Sequence, residues 1–204
     1  MISSWHQPVT LTGPTLVLAP LRLADAPEFL TALGPPEVAV EVLQNMSYGP
    51  PADLAATRAI IAAALADPDR LPYTQRIGAT GELVGTTSFY EIDPAARSVA
   101  IGHTWLARAH WRTRVNSESK LILLTRAFEE LGAERVVWHT DVRNTRSQAA
   151  IERLGATREG VLRMHRQRPD GSWRDTVQYS MTVDEWPEAQ LRLRERLRRS
   201  DQVR

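Results

Sequence analysis

The sequence predicts an α+β fold in which a mixed, mostly antiparallel sheet of about seven strands carries helices on its faces. Three observations predict it. In the first half, short β-type runs are separated only by the turn residues Thr80-Gly81 and Asp93-Pro94, which is typical of an antiparallel meander. In the second half, strand patterns alternate with helix patterns. The chain has 204 residues, 43% of them hydrophobic, which suffices for one domain with a substantial core.

The N-terminal part of the chain contains one predicted strand and two predicted helices. The run TLVLAPLR (15–22) has strand character, and ADAPEFLTALG (24–34) has helix character and ends at Gly34. The segment 35–51 has prolines at both ends, and we expect it to be irregular. The alanine-rich run 53–67 then predicts a helix.

Three predicted strands and an amphipathic helix form the middle of the chain. The β-type runs are 72–79, 82–92 and 97–107. The helix extends over 116–131 and stops at Gly132. Its apolar residues at helical spacing are Leu121, Leu124, Phe128 and Leu131.

The C-terminal part continues with a strand (135–142), a helix (144–155) that ends in glycine, and a hairpin. The hairpin strands are 157–167 and 173–183, joined by a turn at Pro169-Asp170-Gly171. We expect a single domain over residues 1–186, followed by an arginine-rich tail over 187–204 that forms a frayed surface helix.

Composition excludes several classes of function. The net charge is +1, with 25 basic residues against 24 acidic ones, which argues against a dedicated nucleic-acid-binding protein. The chain has no cysteine, which excludes disulfides, thiolate metal sites and a cysteine nucleophile. The N-terminus lacks the pattern of a signal peptide, and no apolar run is long enough to cross a bilayer. We expect a cytoplasmic protein that does not associate with a membrane.

The start of helix 116–131 is a candidate anion site. A right-handed crossover through this helix makes strands 97–107 and 135–142 parallel neighbours and places the helix start at the carboxyl end of strand 97–107. Helix N-termini present free N–H groups and partial positive charge to a phosphate or pyrophosphate. The polar and aromatic residues there are Trp111, Arg112, Thr113, Arg114, Asn116 and Ser117. Alternatively, Asn116 or Ser117 is an ordinary N-cap and the arginines are solvated.

The chain resembles the GNAT superfamily of acetyl-CoA-dependent N-acetyltransferases from about Leu16 to Trp186, within it the branch of ribosomal-protein (Rim-type) N-terminal acetyltransferases. The loop motif W-x-x-x-V-N-x-E-x-K of that branch is matched from Trp111 to Lys120, and the motif N-x-x-S-x-x-x-I-x-x-x-G from Asn144 to Gly155. The resemblance implies a GNAT-type sheet and acetyl-CoA as co-substrate, without a metal. It implies that the loop from Trp111 to Ser117, including Val115, binds the pyrophosphate. One departure is Arg114, where a glycine is usual.

The resemblance also implies sites for the rest of the co-substrate. Backbone groups near Leu106 would bind the pantetheine arm, and helix 144–155 would flank the thiol, with Asn144 as a contact. Many GNAT enzymes have a tyrosine acid where this chain has Ile151. We expect Ser147, one turn after Asn144, to take that place; its other interpretation is an ordinary polar helix residue.

The general base is less clearly marked. The family often has a glutamate just before the Ile-Gly pair on the strand preceding the loop, where this chain has Ala100. The remaining candidates are Glu118, His103, His139 and Asp141. Asp141 is also placed to cap the following helix. A water relay without a dedicated side chain is a further alternative, because an N-terminal α-amine has a pKa of only about 8.

The resemblance implies a protein or peptide α-amine as acceptor, with a small-molecule amine as the alternative. A different alternative is a non-catalytic acyl-CoA-binding domain, since Ala100, Arg114 and Ile151 depart from common GNAT patterns. RNA binding through residues 192–204 is weaker, because acidic residues interrupt the basic run. Homodimerisation is expected from the resemblance alone.

Overall fold

The computed structural model describes residues 4–168 and 170–202, and within them the chain forms one eight-stranded sheet and six α-helices. The strands are Leu11–Thr12 (β1), Leu16–Pro20 (β2), Arg70–Ile77 (β3), Leu83–Asp93 (β4), Ser98–Leu106 (β5), Arg135–Asp141 (β6), Thr157–Gln167 (β7) and Trp173–Thr182 (β8). The helices are Ala26–Leu33 (α1), Pro36–Leu43 (α2), Leu54–Ala66 (α3), Val115–Thr125 (α4), Thr145–Glu152 (α5) and Trp186–Gln202 (α6).

The sheet confirms the predicted mixed, mostly antiparallel fold. The strand order is β1-β2-β3-β4-β5-β6-β8-β7, and every neighbouring pair is antiparallel except β5 and β6. Strands β3, β4 and β5 form the predicted meander. The parallel pair is joined through α4, as expected for a strand–helix–strand crossover. Strands β7 and β8 form the predicted hairpin; Pro169 of its turn lies outside the described residues.

Two elements were not predicted. Strand β1 contributes only two residues to the sheet edge and is too short to leave a periodic pattern. Helix α2 lies in the segment that we expected to be irregular, and that expectation is wrong. Its N-cap is Pro35 and its first residue is Pro36. Proline suits the first turn of a helix because the N–H it lacks would be unpaired there anyway.

Helices cover both faces of the sheet, with a separate apolar cluster on each. Helices α4 and α6 pack on one face, where Leu123, Leu124 and Phe128 meet Trp186 and Leu193. Helices α1, α2 and α3 cover the other face, together with residues of β4 and β5. In the described part of the chain, no helix combines the length and the apolar character needed to cross a bilayer.

The C-terminal helix is not frayed, in contrast to the prediction. Helix α6 buries Trp186, Ala189, Leu193 and Leu197. On its exposed side, Arg192 forms an ion pair with Glu188 one turn earlier. The spacing of the buried residues makes α6 an amphipathic helix whose apolar face completes the core beside α4.

Candidate functional site

A cleft of about 720 Å³ opens where strands β5 and β6 separate. The two strands pair only from Ser98 opposite Arg135 to Ala100 opposite Val137. Beyond that point β5 continues to Leu106 and β6 to Asp141, each without the other as a ladder partner. The two strands are therefore splayed at this end, and the splay forms the floor of the cleft.

A β-bulge on β5 accompanies the splay. Ser88 of β4 opposes Gly102 and Thr86 opposes Trp105, so that the single residue Thr87 faces the two residues His103 and Thr104. The backbone of His103 has a φ of 49°, in the left-handed region. An extra residue of this kind bends its strand and increases the local twist, which turns the end of β5 away from β6.

The N-terminus of α4 lies at one mouth of the cleft, and a fixed indole supports the loop before it. The Trp111 Nε1–H donates a hydrogen bond to the Leu106 carbonyl at 2.8 Å, and the guanidinium of Arg146 lies 3.7 Å from the centre of the Trp111 ring. The Thr113 hydroxyl donates to the His110 carbonyl at 2.8 Å. Arg112 is exposed and has a φ of 60°. This loop therefore has a defined shape, with a cation at its tip.

Most of the residues predicted to bind coenzyme A face the cleft. Those among the lining residues are Leu106, Trp111, Arg112, Thr113, Asn116, Ser117, Asn144 and Ile151. Two predicted residues do not line it. Val115 is buried in the core, and the guanidinium of Arg114 turns back to the carboxylate of Glu118, 3.1 Å from Nε. The side chain of Arg114 is therefore directed away from the cleft wall.

The backbone at Arg114 also explains how the chain tolerates an arginine where a glycine is usual in the resembled branch. Its φ of −65° and ψ of −21° are helical values that any L residue adopts. The left-handed conformation that favours glycine lies two residues earlier, at Arg112.

Helix α5 flanks the cleft on the β6 side. The side-chain oxygen of Asn144 accepts a hydrogen bond from the Ser147 N–H at 3.0 Å, so Asn144 is the N-cap of this helix. The hydroxyl of Ser147 lies in the cleft wall and has no hydrogen-bond partner among the described residues. The Ser147 hydroxyl thus faces the cleft, while the acceptor oxygen of Asn144 caps the helix.

Glu118 was predicted as a candidate base, and the structure places its side chain outside the cleft wall. Its side chain is fully buried and is not part of the cleft wall. Its two oxygens accept hydrogen bonds from the backbone N–H groups of Thr15 and Leu16, from the Thr15 hydroxyl and from Arg114. A carboxylate that accepts four bonds on the far side of α4 joins β2 to the helix and does not reach a substrate in the cleft.

Asp141 lies in the cleft wall but is held by Arg168. The guanidinium of Arg168 donates two hydrogen bonds to its carboxylate, at 2.6 and 2.9 Å, and Asp141 also accepts the Arg143 N–H. Burial raises the pKa of Asp141, but the hydrogen bonds from Arg168 and Arg143 outweigh burial and leave the pKa below its usual value. A carboxylate stabilised in this way is a weaker proton acceptor than a free one, and its predicted catalytic role stays a prediction.

His139 lies in the cleft wall with both ring nitrogens engaged. Nδ1 is 3.1 Å from the Tyr90 hydroxyl, and Nε2 is 3.2 Å from the Gln178 side-chain oxygen. Burial lowers the pKa of His139, although the nearby Glu91 carboxylate opposes that shift. Burial likewise lowers the pKa of His103 to about 4. Both imidazoles are therefore neutral near pH 7, and His139 stays a candidate proton acceptor only if it gives up one of these bonds.

The prediction missed Lys120, which also lines the cleft. Lys120 is only 6% exposed, and its Nζ lies 3.2 Å from the Thr87 hydroxyl oxygen and 3.0 Å from that of Thr104. The sequence did contain a signal for it. Lys120 is four residues before Leu124, so it falls on the apolar stripe of its helix, and it is the only lysine in the chain.

The mouth and walls of the cleft carry several cations. The lining arginines are Arg112, Arg146, Arg153, Arg174 and Arg196. The opposite wall includes Glu41 of α2, which forms an ion pair with Arg108 at 3.0 Å. Among the described residues, no group of three or more histidine and acidic side chains is arranged to hold a metal ion. The arrangement suits a long ligand with anionic groups at the end near α4.

Comparison with known proteins agrees with this geometry. The family model for the acetyltransferase (GNAT) domain matches residues 15–157. YdaF of Bacillus subtilis (strain 168), which carries the provisional name ribosomal N-acetyltransferase, is 34% identical over 106 residues. That match covers 52% of this chain and 57% of YdaF, so it spans little more than half the length of this curated relative.

Solved structures match almost the whole chain. A T. thermophilus structure, provisionally described as an acetyltransferase, is 40% identical with a TM-score of 0.85, and the match covers 95% of this chain and 99% of that one. RimJ of Mycobacterium smegmatis, solved in complex with CoA-disulfide, is 24% identical with a TM-score of 0.76, covering 92% of this chain and 94% of that one. At that level of identity, the likeness to RimJ concerns the fold.

Proposed function

This chain belongs to the GNAT acetyltransferase family, and from that premise we propose that it transfers the acetyl group of acetyl-CoA to a primary amine, the N-terminal α-amine of a protein or peptide. The observation that carries the proposal is the cleft itself. It joins an exposed helix N-terminus, a splayed pair of parallel strands and the unpaired hydroxyl of Ser147 in one continuous wall. Donor and acceptor can meet there in a ternary complex.

The phosphate end of the donor is assigned to the N-terminus of α4. The first N–H groups of the helix and its partial positive charge suit a pyrophosphate. Arg112 and Arg146 place guanidinium groups beside the same loop. The complex of RimJ with CoA-disulfide, a protein of the same fold, supports a coenzyme A site in this architecture.

The pantetheine arm is assigned to the splay. Beyond Ala100, the edge of β5 that faces β6 makes no ladder bonds to it, and such an edge can pair with the amide groups of an extended ligand. The Leu106 carbonyl already accepts the Trp111 indole N–H, so the pairing groups lie earlier on β5. At the thiol end, Ser147 donates a hydrogen bond to the departing sulfur in this proposal.

The cleft offers few groups that can accept a proton, and this suits an α-amine better than a strongly basic amine. The two carboxylates that were candidate bases, Glu118 and Asp141, already accept hydrogen bonds from other groups of the protein. An α-amine has a pKa of about 8 and is partly neutral near pH 7, whereas a lysine-like amine has a pKa of about 10.4. The provisional name of YdaF, ribosomal N-acetyltransferase, agrees with a protein N-terminus as acceptor.

Calorimetric titration with acetyl-CoA tests the donor site. We expect micromolar binding that weakens when Arg112→Ala removes the cation at the loop tip. Arg114→Gly should leave the affinity within about twofold, because this side chain pairs with Glu118 and does not line the cleft. No binding to wild type would overturn the assignment of the donor.

Release of free thiol from acetyl-CoA, followed with added amines, tests the acceptor. Peptides with a free N-terminus should stimulate release, and the same peptides with a blocked N-terminus should not. Stimulation by polyamines or amino acids alone would favour a small-molecule acceptor. Tight binding of acetyl-CoA with no stimulation by any amine would favour a non-catalytic acyl-CoA-binding domain.

A further inference from the structure

The sole lysine of the chain has an unusual environment for an ammonium group. Lys120 lies on α4 with its Nζ between the hydroxyls of Thr87 and Thr104, which are themselves 2.8 Å apart. Within the described part of the chain, no carboxylate lies within ion-pair distance of Nζ. An ammonium has three N–H donors, so one bonding position remains for a ligand. A nearly buried cation without a counter-charge is expensive and is usually retained for a function.

Lys120 lies in the cleft that is assigned to acetyl-CoA. It lines the same cleft as Ser117 and Ser147, and its partner Thr104 belongs to the part of β5 beyond Ala100 that has no ladder partner on β6. The amine nitrogen therefore lies against the splayed part of β5, in the cleft where donor and acceptor are proposed to meet.

The titratable groups around Lys120 do not supply a compensating charge. Tyr73 of β3 lies directly opposite Thr87, and burial raises its pKa to about 12, so it is neutral near pH 7. His103, next to Thr104 on β5, is neutral as well. On its own helix, Glu118 is committed to β2 and Arg114. Burial consequently lowers the pKa of Lys120 to about 7.

We propose that Lys120 carries the proton of the acetyl transfer. Its neutral Nζ accepts the proton that the attacking amine loses as the new C–N bond forms and the C–S bond breaks. The resulting ammonium then protonates the departing thiolate, while the Ser147 hydroxyl donates a hydrogen bond to the same sulfur. The proton moves from nitrogen to sulfur, and the lysine returns to its starting state. This inference rests on the proposed function.

The acid–base properties of the participants agree with that route. An amine nitrogen bonded to the acyl carbon becomes a stronger acid than the free ammonium, so a group that titrates near neutrality can deprotonate it. A thiol has a pKa of about 8.5, which is above that of Lys120, so proton transfer from the ammonium to the thiolate is favourable. General acid–base catalysis is most effective when the catalytic pKa lies near the working pH.

The single lysine makes a direct measurement possible in the unmodified protein. Protein prepared with ¹³C-labelled lysine gives one Cε signal, and its chemical shift followed against pH reports the pKa of Lys120. A midpoint near neutrality is expected. A midpoint at about 10.4, the ordinary value for lysine, overturns the proposal whatever the enzyme's activity.

Variants separate catalysis from packing. Lys120→Met keeps the length of the side chain and removes the amine, and Lys120→Gln keeps a donor for the two threonines. We expect kcat to fall by roughly 100-fold or more in both, in the range of general acid–base effects, with little change in KM for acetyl-CoA. Lys120→Arg, which keeps a charge that does not release its proton, should be equally slow. In both wild type and Lys120→Met, kcat/KM should fall as the α-amine substrate becomes protonated below about pH 8. The wild type should show a second, steeper loss below about pH 7 from Lys120, and Lys120→Met should lack it.

A purely structural lysine would behave differently. Replacing a buried ammonium that has no counter-charge with methionine should raise Tm. If kcat falls while Tm rises, the loss of activity does not come from a damaged fold, and Lys120 acts in catalysis. If Lys120→Met turns over like wild type, the proton-carrier role is overturned and the proposed function stands. If wild type transfers acetyl to no amine, the proposed function fails, and this inference fails with it.

Discussion

The carboxylate of Glu118 accepts the backbone N–H of Leu16, 102 residues earlier in the chain, at 2.9 Å. It also accepts two hydrogen bonds from Thr15 and one from Arg114. The backbone of Gly13 passes so close that a Cβ there would lie 2.8 Å from a Glu118 oxygen and 2.7 Å from the end of the Ile122 side chain. One buried side chain therefore fastens the sheet edge to the helix whose N-terminus is the proposed phosphate site.

We predict that Glu118→Ala lowers the free energy of unfolding by about 3–5 kcal/mol, because it leaves buried donors unpaired and removes the partner of Arg114. Glu118→Gln keeps one acceptor oxygen and should cost less, about 1–3 kcal/mol. Urea unfolding measures both. At temperatures where both variants are folded, kcat should stay within about threefold of wild type, because Glu118 does not line the cleft. A folded Glu118→Gln variant with kcat reduced 100-fold or more would restore Glu118 as a catalytic candidate.

Glu118 and Lys120 show where sequence reasoning about this site stops. Helical spacing predicts that both lie on one helix, and the structure has that helix. Spacing does not reveal which neighbour each side chain meets. Only β2, distant in sequence, makes Glu118 structural, and only the threonines of β4 and β5 leave Lys120 without a counter-charge. Contacts between distant segments decided both roles.

The fold was more predictable than the site because its signals are local. The turns at Thr80-Gly81 and Asp93-Pro94 and the glycines that end helices predicted the meander and the crossover. Helix α2 was missed because flanking prolines were taken as loop signals, although proline also favours the first turn of a helix. The bulge at His103 directly follows Gly102, and an isolated glycine inside a strand pattern is compatible with a bulge. It does not reveal that the bend lies where β5 separates from β6 and shapes a cleft.

His103 makes stability depend on pH. Its folded pKa of about 4 lies below the unfolded value of 6.5, so the unfolded state binds more protons between these values. Stability is therefore full above pH 6.5 and is lost as pH falls toward 4, by roughly 3 kcal/mol in total for this residue. The physical reason is burial, aided by the nearby charges of Arg70 and Arg166.

We predict that His103→Asn flattens this loss, since asparagine does not titrate and tolerates the positive φ at this position. Thermal unfolding measured at several pH values between 4 and 7 gives the comparison. The matched control is His6→Asn in the N-terminal turn, outside the cleft wall, which should keep the wild-type slope. Equal slopes in wild type and His103→Asn would show that another group controls acid stability. His139, whose pKa burial also lowers, would be the next one to replace.

The docking of α6 can be tested with two leucines on opposite faces of the same helix. Leu193 is 2% exposed and belongs to the main core, whereas Leu191 is 55% exposed. Leu193→Ala should lower the free energy of unfolding by about 2–5 kcal/mol, from lost burial and the cavity left behind. Leu191→Ala should change it by less than about 0.5 kcal/mol. Similar small effects in chemical denaturation would mean that α6 is detached in solution, as the sequence prediction of a frayed tail implies.

Asn144 allows its helix-capping role to be separated from its predicted contact with the donor. Its Oδ1 accepts the Ser147 N–H, while its amide group is a donor that an aspartate in the same place lacks. Asn144→Asp should keep the cap and the stability, and Asn144→Ala should lose about 1 kcal/mol of stability. If the amide donates to pantetheine, both variants bind acetyl-CoA more weakly in calorimetry, and Asn144→Asp does so without a loss of Tm. If only Asn144→Ala loses affinity, in step with its stability, then Asn144 acts by holding Ser147 and the first turn of α5 in place.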